Sequence, residues 1–447
     1  MRIVMVTVGS RGDVQPCVAF ARGLGAAGFT VRLAAPAPFA DLVTAHGVPF
    51  APLPIDPSGM LAGDVGRAWV ESGRNPVAFV RGIGDLGDTL GERLADAVLD
   101  VCADADAVVY TTLAFPAWHV ARAAGVPAIQ VGLAPLSPTV EFPPMLLPAP
   151  FAGRDPWRPT PAAALARGYH RAGHQVFAQM LWLAVRRRVN AWRRQRLRAP
   201  AIGWRSPALQ VDRAREPLLH AYSPTVLPPP QDWGAHIVTT GYWFLDSSAG
   251  ARLPVDVEAF LAAGPPPVSI GMGSMTGRDP AQVTRVAVEA LRRTGQRGLL
   301  LAGWGGIGDA VREAAPGDVD LLVVDEIPHD LLMPRVRAAV HHGGAGTTGA
   351  TLRAGVPTVV VPHFGDQSLW GDRVHALGAG PAPVPRRALT PRRLAHAVSA
   401  AVHDTRIRDQ AARLGGVIRA EQGVARAVAA VTRMLDGVSA PAGRRGS

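Results

Sequence analysis

Short unbroken apolar runs alternate with amphipathic stretches along most of the chain. In the first half, Arg2 to Val8 reads as a buried strand, Gln15 to Ala27 as a helix and Thr30 to Ala35 as a second strand. A strand over Ala107 to Tyr110 precedes a helix from Phe115 to Ala124, and Ala128 to Gly132 returns to strand. This alternation implies a parallel sheet covered on both faces. Pro36 to Gly63 and Pro135 to Pro161, rich in Pro and Gly, are expected to be long loops on the binding side. Between Ala162 and Arg198 an arginine-rich amphipathic helix carries Phe177, Leu181, Trp182 and Val185 at helical spacing. That pattern fits packing on its own domain, and it also fits contact with a membrane surface or a lipid-like acceptor.

Ser223 to Pro230 is dense in proline and cannot lie inside a helix or a central strand. Beyond it, strands are expected at Val268 to Gly271, Leu299 to Ala302, Asp320 to Val324, Ala338 to His341 and Thr358 to Val361, with helices between them. The fold class is therefore α/β with two doubly wound parallel sheets. The expected division is residues 1–225 for the first domain, a linker over 226–240, a second domain over 241–405, helices over 406–438 that cross back to the first, and a disordered tail over 439–447.

A length of 447 residues suits two domains, and 48% hydrophobic with 18% charged residues suits a globular chain. The net charge of +11 raises nucleic acid or an anionic surface as partner. The chain has no lysine, its arginines read as dispersed among Ala, Gly and Pro, and no aromatic–basic ladder appears, so no nucleic-acid partner is expected. Cys17 and Cys102 form neither a disulfide framework nor a thiolate metal site. With no signal-like or membrane-spanning run, the expected location is cytoplasmic.

In open α/β sheets, ligands sit at the carboxyl ends of strands, which directs attention to four loops. The first, Gly9-Ser10-Arg11-Gly12-Asp13, lacks the dinucleotide fingerprint; Asp13 either faces the cleft as a base or caps the helix that follows. The second, Gly271-Met272-Gly273-Ser274, permits close backbone approach and offers a hydroxyl to phosphate. The third, His341-His342-Gly343-Gly344-Ala345-Gly346-Thr347, leads into a helix from Thr348 to Ala354 and suits a pyrophosphate at a helix N-terminus. Without a lysine it is no P-loop, and adjacent histidines on a strand point to opposite faces, which argues against a shared metal. His341 is expected to pack inward and His342 to reach the phosphates. The fourth, His363 to Trp370, offers Asp366 and Gln367 to the hydroxyls of a hexose and Trp370 to a sugar face, unless Asp366 is a cap and Trp370 core.

The segments GSRGDVQP, IPHDLLMPRVRAAVHHGGAGTT and RAGVPTVVVPHFGDQSLWGDRVHALGAGP, with the GYWF linker, resemble the GT-B glycosyltransferases of family 1. The likeness is strongest to the sterol-glucosyltransferase-like group, near the enzymes that glycosylate macrolides and glycopeptides, and runs over nearly the whole chain. It implies two Rossmann-like domains facing across a cleft, with the acceptor held by the first and the nucleotide sugar mainly by the second. Asp13 then stands where plant and mammalian relatives carry a catalytic histidine, and Thr111 falls near the position of that histidine's aspartate partner. Ser274, His342, Gly344, Gly346 and Thr347 match the diphosphate positions, with Ser10, Gly273, Gly343 and Ala345 beside them, and Asp366 with Gln367 match the sugar-hydroxyl pair. Glu326 with Ile327 replaces the tryptophan that plant-type relatives offer to the nucleobase, and Leu331 to Met333 replaces Trp-Leu-Phe, which leaves uridine and thymidine both open.

The resemblance implies an inverting, metal-independent hexosyl transfer without a cofactor. The co-substrate is UDP-glucose or a dTDP-sugar and the acceptor a hydrophobic polyketide, terpenoid or sterol-like alcohol. Acceptor contacts are expected from Thr112, Phe115, Leu136, Phe142 and Trp370. Expected partners are these small molecules and a peripheral membrane contact without a spanning segment, in a monomer or homodimer. Two rivals are a non-catalytic partner protein and a nucleotide-sugar epimerase.

Overall fold

The structure, a computed structural model, describes residues 1–151, 157–248, 250–273, 280–303 and 319–439. Two parallel sheets form its frame. The first has the order β3-β2-β1-β4-β5-β6-β7, from β1 (Arg2–Val6), β2 (Thr30–Pro36), β3 (Phe50–Leu53), β4 (Ala107–Thr111), β5 (Ala128–Gly132), β6 (Leu218–His220) and β7 (Ile237–Thr239). The second has the order β10-β9-β8-β11-β12, from β8 (Val268–Gly271), β9 (Gly298–Leu301), β10 (Leu321–Val324), β11 (Ala338–His341) and β12 (Thr358–Val360). Each order reverses beside its first strand, between β1 and β4 and between β8 and β11, so each sheet opens a crevice at the carboxyl ends of those strands.

Burial explains the strand choice. Ile3, Val4, Met5 and Val6 are fully buried, so alternate residues feed the cores on opposite faces of the first sheet. The helix Arg11–Ala26 lays Val14, Cys17, Val18, Phe20 and Leu24 on one of those faces.

Three expectations need correction. The stretch Pro36 to Gly63 is not a loop throughout: it contains β3 and the helix Pro57–Ala62. Its Pro52 hides the strand pattern, and the chain tolerates it because β3 lies at the sheet edge. Residues 237–239 of the expected linker form β7 and pair with β6. The cradle helix starts at Ala345, three residues before the expected Thr348, which puts Gly346 and Thr347 in its first turn.

The last two helices divide. Thr405–Ala420 stays with the second half, burying Ala411, Leu414 and Ile418 against Leu352 and Val374. Gly423–Ser439 instead inserts Ala427, Ala430, Val431 and Leu435 into the core around the first helix. At the turn between them, Glu421 Oε1 accepts hydrogen bonds from Ser223 Oγ (2.6 Å) and Thr225 Oγ1 (2.9 Å). The expected tail beyond Ser439 lies outside the described residues.

At this turn Gly423 packs so closely that a Cβ would overlap the Tyr242 carbonyl oxygen, whereas at Gly416 a Cβ would meet only Arg419 at 3.9 Å. Gly423→Ala is expected to destabilise by about 1–3 kcal/mol through overpacking. Gly416→Ala should hold or raise stability, since alanine is the better helix former. Thermal melting of the two variants checks this, and equal midpoints would refute it.

Candidate active site

The loop after β1 turns into its helix through a reciprocal cap. Ser10 is the N-cap residue and Asp13 the third helical residue, and the Ser10 backbone N–H donates to Asp13 Oδ2 at 2.8 Å, with Ser10 Oγ at 3.3 Å. Gly9 makes this fold-back feasible: its φ is +143° and a Cβ there would overlap Asp13 Oδ2. Asp13 is thus both the helix cap and a half-buried carboxylate toward the second sheet, because one oxygen suffices for the cap. Pro16, one turn later, denies the Gly12 carbonyl its i+4 donor.

Opposite lies the start of the helix Ala345–Ala354. A Cβ on Gly346 would come within 3.8 Å of the Gly12 oxygen, so the first turns of the two helices nearly touch. The two ends differ in their caps. The second has Gly344 as N-cap, no side-chain cap bond and no acidic residue in its first turn. Its leading N–H groups and dipole therefore lack the compensation that Asp13 gives the first helix.

His342 flanks this uncapped start. Its ring is held between Gly344, where a Cβ would overlap Nε2, and Gly273, where a Cβ would lie 2.8 Å from Cε1. Its Nδ1 is buried without a hydrogen-bond partner among the described residues. Burial, then the charge of His329, pushes its pKa down to about 4, so the ring is neutral at pH 7 and offers one N–H. His341 packs inward, its Nδ1 accepting the Gly343 N–H at 2.9 Å, which fixes the loop's turn. Gly343, Ala345 and Thr347 complete the loop beside His342. Ser274 lies outside the described residues.

The loop after β12 supplies a second carboxylate. Asp366 Oδ2 accepts from Trp370 Nε1 at 2.7 Å. Burial raises Asp366 to about 6. Burial also raises Asp13 to about 6; the Ser10 hydrogen bonds oppose that rise and the Asp366 charge adds to it. The two carboxylates thus sense each other across the boundary between the halves.

Two expectations for this loop change. Trp370 is fully buried, edge-on to Tyr222 at a centroid distance of 5.4 Å, so it meets neither sugar nor acceptor and instead orients Asp366. Gln367 is buried as well, and its Oε1 accepts the N–H groups of His363 (2.8 Å) and Phe364 (3.3 Å), so this oxygen braces the loop.

On the acceptor side, Thr112 is exposed, Phe115 meets His119 edge-on at 5.6 Å, and Leu136 donates its N–H to His220 Nε2 at 3.2 Å. Phe142 packs against the cluster that contains Tyr222 and Trp370. Thr111 is buried with its hydroxyl 3.3 Å from that of Thr7, which in turn donates to the Asp13 backbone carbonyl, so it supports the helix start and not the carboxylate.

Sequence reasoning missed two features. Arg11 bridges to Glu326 at 2.6 Å, joining the two halves beside the cleft. Phe364 enters an aromatic cluster of the first half, 5.2 Å from Trp69 and 6.5 Å from Phe79. The signal for the second is an aromatic residue in a polar loop, Phe364 between His363 and Gly365, but its partners are too distant in sequence to be paired by pattern.

With this geometry in place, similarity to known proteins becomes informative. The chain matches the glycosyltransferase family 28 N-terminal domain over residues 3–139 and the erythromycin biosynthesis protein CIII-like C-terminal domain over residues 309–431. Sterol 3-beta-glucosyltransferase UGT80B1 of Arabidopsis thaliana is 34% identical over 97% of this chain and 68% of its own length. The chain belongs to the sterol 3-beta-glucosyltransferase family. Another member, UGT80A2 of the same plant, is 36% identical over 97% of this chain, and that of Aspergillus clavatus 34% identical over 98%. The chain spans 66% of the length of the first and 30% of the second. In fold the family member described here is similar to the calicheamicin glycosyltransferase CalG4, with TM-score 0.64, 19% identity and coverage of 98% of this chain and 99% of that one. It is likewise similar to SnogD from Streptomyces nogalater, with TM-score 0.62, 19% identity and coverage of 97% and 100%. The architecture is GT-B.

The shared field of the two carboxylates gives a direct expectation. In a carboxyl-carbon NMR titration Asp13 should titrate near pH 6. Asp366→Asn should lower that midpoint by removing a like charge, and Ser10→Ala should raise it by removing a donor. An Asp13 midpoint in the ordinary carboxylate range would refute this picture of the cleft.

Proposed function

We propose that the protein transfers a hexose from a nucleoside diphosphate to a hydroxyl of a hydrophobic small molecule, with inversion at the anomeric carbon. The observation that carries this reading is the pairing of an uncapped helix start at Gly344–Ala345 with a carboxylate of raised pKa on the facing helix. The first suits the diphosphate of a donor; the second suits the proton of an acceptor.

In this mechanism Asp13 takes the proton from the acceptor hydroxyl as its oxygen attacks the anomeric carbon. The new carbon–oxygen bond forms opposite the diphosphate, the bond to the leaving phosphate oxygen breaks, and the electron pair leaves with the nucleoside diphosphate. Charge gathering on that group meets the N–H groups at the start of Ala345–Ala354 and the neutral His342 ring. In this reading Asp366, oriented by Trp370, accepts hydrogen bonds from sugar hydroxyls. A carboxylate base needs no partner to stabilise a positive charge, which agrees with Thr111 behind the Asp13 helix.

UDP-glucose is the preferred donor in this reading, on the likeness to sterol 3-beta-glucosyltransferases, while a dTDP-sugar is supported by the thymidine diphosphate complex of the fold neighbour SsfS6. The acceptor class is supported by the same sterol relatives and by the apolar, aromatic cluster of Trp69 and Phe79 in the first half, which Phe364 joins from the second. The test is a matrix of UDP- and dTDP-sugars against sterols, terpenoid alcohols and polyketides, read as the mass gain of one hexosyl unit. No product across the matrix, or sugar epimers formed without acceptor, would overturn the proposal.

Asp13→Asn keeps shape and removes basicity, so turnover should fall by roughly two or more decades while donor affinity changes little. Because the base must be deprotonated, the wild-type rate should rise with pH through about 6 and level off above it. Near-normal turnover in Asp13→Asn would reduce Asp13 to its capping role. The helix start and His342 take the place of a divalent ion on the leaving group, so EDTA treatment should leave turnover unchanged. A loss restored by magnesium or manganese would defeat that account.

A further inference from the structure

The net charge of the chain has an address. Between Trp157 and Val211 the sequence holds eleven arginines and no acidic residue, a surplus equal to the +11 of the whole chain. The arginines are therefore not dispersed in their effect, since basic and acidic residues balance elsewhere. Most of this segment is the helix Pro161–Gln195, which packs along the helix Pro76–Val101.

Part of the charge is consumed by that packing. Arg188 pairs with Asp88, Arg196 with Asp96 at 2.8 Å, and Arg193 is buried against His119. Arg171, Arg187, Arg194 and Arg198 remain exposed, with no ion-pair partner among the described residues. The outer face also carries large apolar side chains in the open: Leu165 is 63% exposed, Val176 58% and Leu183 40%. Leu165, Val176, Leu183 and Arg194 follow one another at spacings of eleven, seven and eleven residues. Each spacing is close to a whole number of turns at 3.6 residues per turn, so the four lie along one line of the helix. Beside this line Trp204 is 66% exposed, with the Arg186 guanidinium 5.5 Å over its ring and its carbonyl accepting from Gln179 Nε2 at 2.8 Å.

We infer that this outer face docks on an anionic lipid bilayer. Val176, Leu183 and Trp204 enter the boundary between headgroups and acyl chains, and Arg187 and Arg194 meet lipid phosphates. The combination of an apolar line, an amphipathic tryptophan and unpaired arginines is that of a helix lying in an interface. No helix among the described residues is long and apolar enough to cross a membrane, so the contact lies on the surface. The same helix faces inward with Phe177, whose ring is 6.3 Å from Phe79, which in turn lies 6.5 Å from Phe364. Docking would thus hold the aromatic cluster beside the cleft one helix away from the lipid, where a greasy alcohol is dissolved. The inference stands on the surface of the helix and does not depend on the transfer reaction.

The test is co-sedimentation of the full chain with vesicles of phosphatidylcholine, with and without phosphatidylglycerol. Binding is expected only with the anionic lipid, and should weaken as salt rises. Each arginine near an anionic surface is worth about fivefold in partitioning, so Arg187→Gln with Arg194→Gln should weaken binding by about thirtyfold. Val176→Glu with Leu183→Glu should abolish it, with circular dichroism and nucleotide binding unchanged as the check on folding. Equal binding to neutral vesicles, or anionic binding retained in both double variants, would overturn the proposal. Capture of RNA with no binding to either vesicle would overturn it in favour of a nucleic-acid partner.

Discussion

Two helices begin almost in contact across the boundary between the sheets, and both present the positive ends of their dipoles to the same gap. Bringing like ends together is unfavourable unless negative charge lies between them. The chain supplies part of that charge itself: Asp13 folds back onto the Ser10 N–H and neutralises its own helix start. The facing start at Gly344 has no such residue, and the nearby Asp366 is occupied by the Trp370 N–H. The asymmetry leaves one positive end to be satisfied by something the protein binds. Most of the local sequence serves that arrangement, from the positive-φ Gly9 that clears space for Asp13 to the pair of glycines that clamp His342.

The two acidic groups in this gap resist one another. Each is raised to about 6, first by burial, and Asp366 adds to the rise at Asp13. Raised carboxyl values mean that the folded state favours the protonated forms. The associated stability is fully present below the ordinary value of 3.8 and is lost as pH rises through about 6. At neutral pH the protein therefore holds two carboxylates where they are uncomfortable, a strain that a bound cationic or hydrogen-bond-donating group would relieve. The hydroxyls of a sugar and of an alcohol are donors of that kind. The histidines around the cradle run the opposite way: burial first, and then neighbouring positive charge, keep His329, His342 and His363 neutral at pH 7, which spares the site further positive charge that would demand a counter-ion in the resting state.

What sequence could disclose follows from the range of each signal. The loops after β1, β11 and β12 announce themselves because a buried strand, glycines and a helix start follow within ten residues, and the sheet order then places them together. A cap and a base demand the same residue at the same position, so the sequence leaves both readings of Asp13 open, and the structure shows the cap. A tryptophan next to a polar pair suits both a sugar platform and a core position, and its depth against Tyr222, with Asp366 at the helix cap, decides for the core. The pattern sets the helix start late because glycine lowers helix propensity, whereas Gly346 lies in the first turn of the helix that begins at Ala345. The contacts of Arg11 with Glu326 and of Phe364 with Trp69 join residues hundreds of positions apart, beyond any local pattern.

Those long-range contacts also join the halves that carry the two carboxylates. Desolvation is the largest cause of the raised pKa of both Asp13 and Asp366, and the charge of Asp366, from the other half, adds to the rise at Asp13. The clasp consists of the exposed Arg11–Glu326 pair, which is worth little by itself, and the apolar seat of Phe364 against Trp69 and Phe79, which is worth more. Separating the halves would take the Asp366 charge away from Asp13 and lower its pKa. Phe364 stands two residues before Asp366 on the same loop, and its seat is in the half that holds the apolar cluster. The loop seated in that cluster thus also carries the carboxylate whose charge raises Asp13. In the proposed reaction a shift in the seat of Phe364 would therefore be felt at Asp13 through the charge of Asp366.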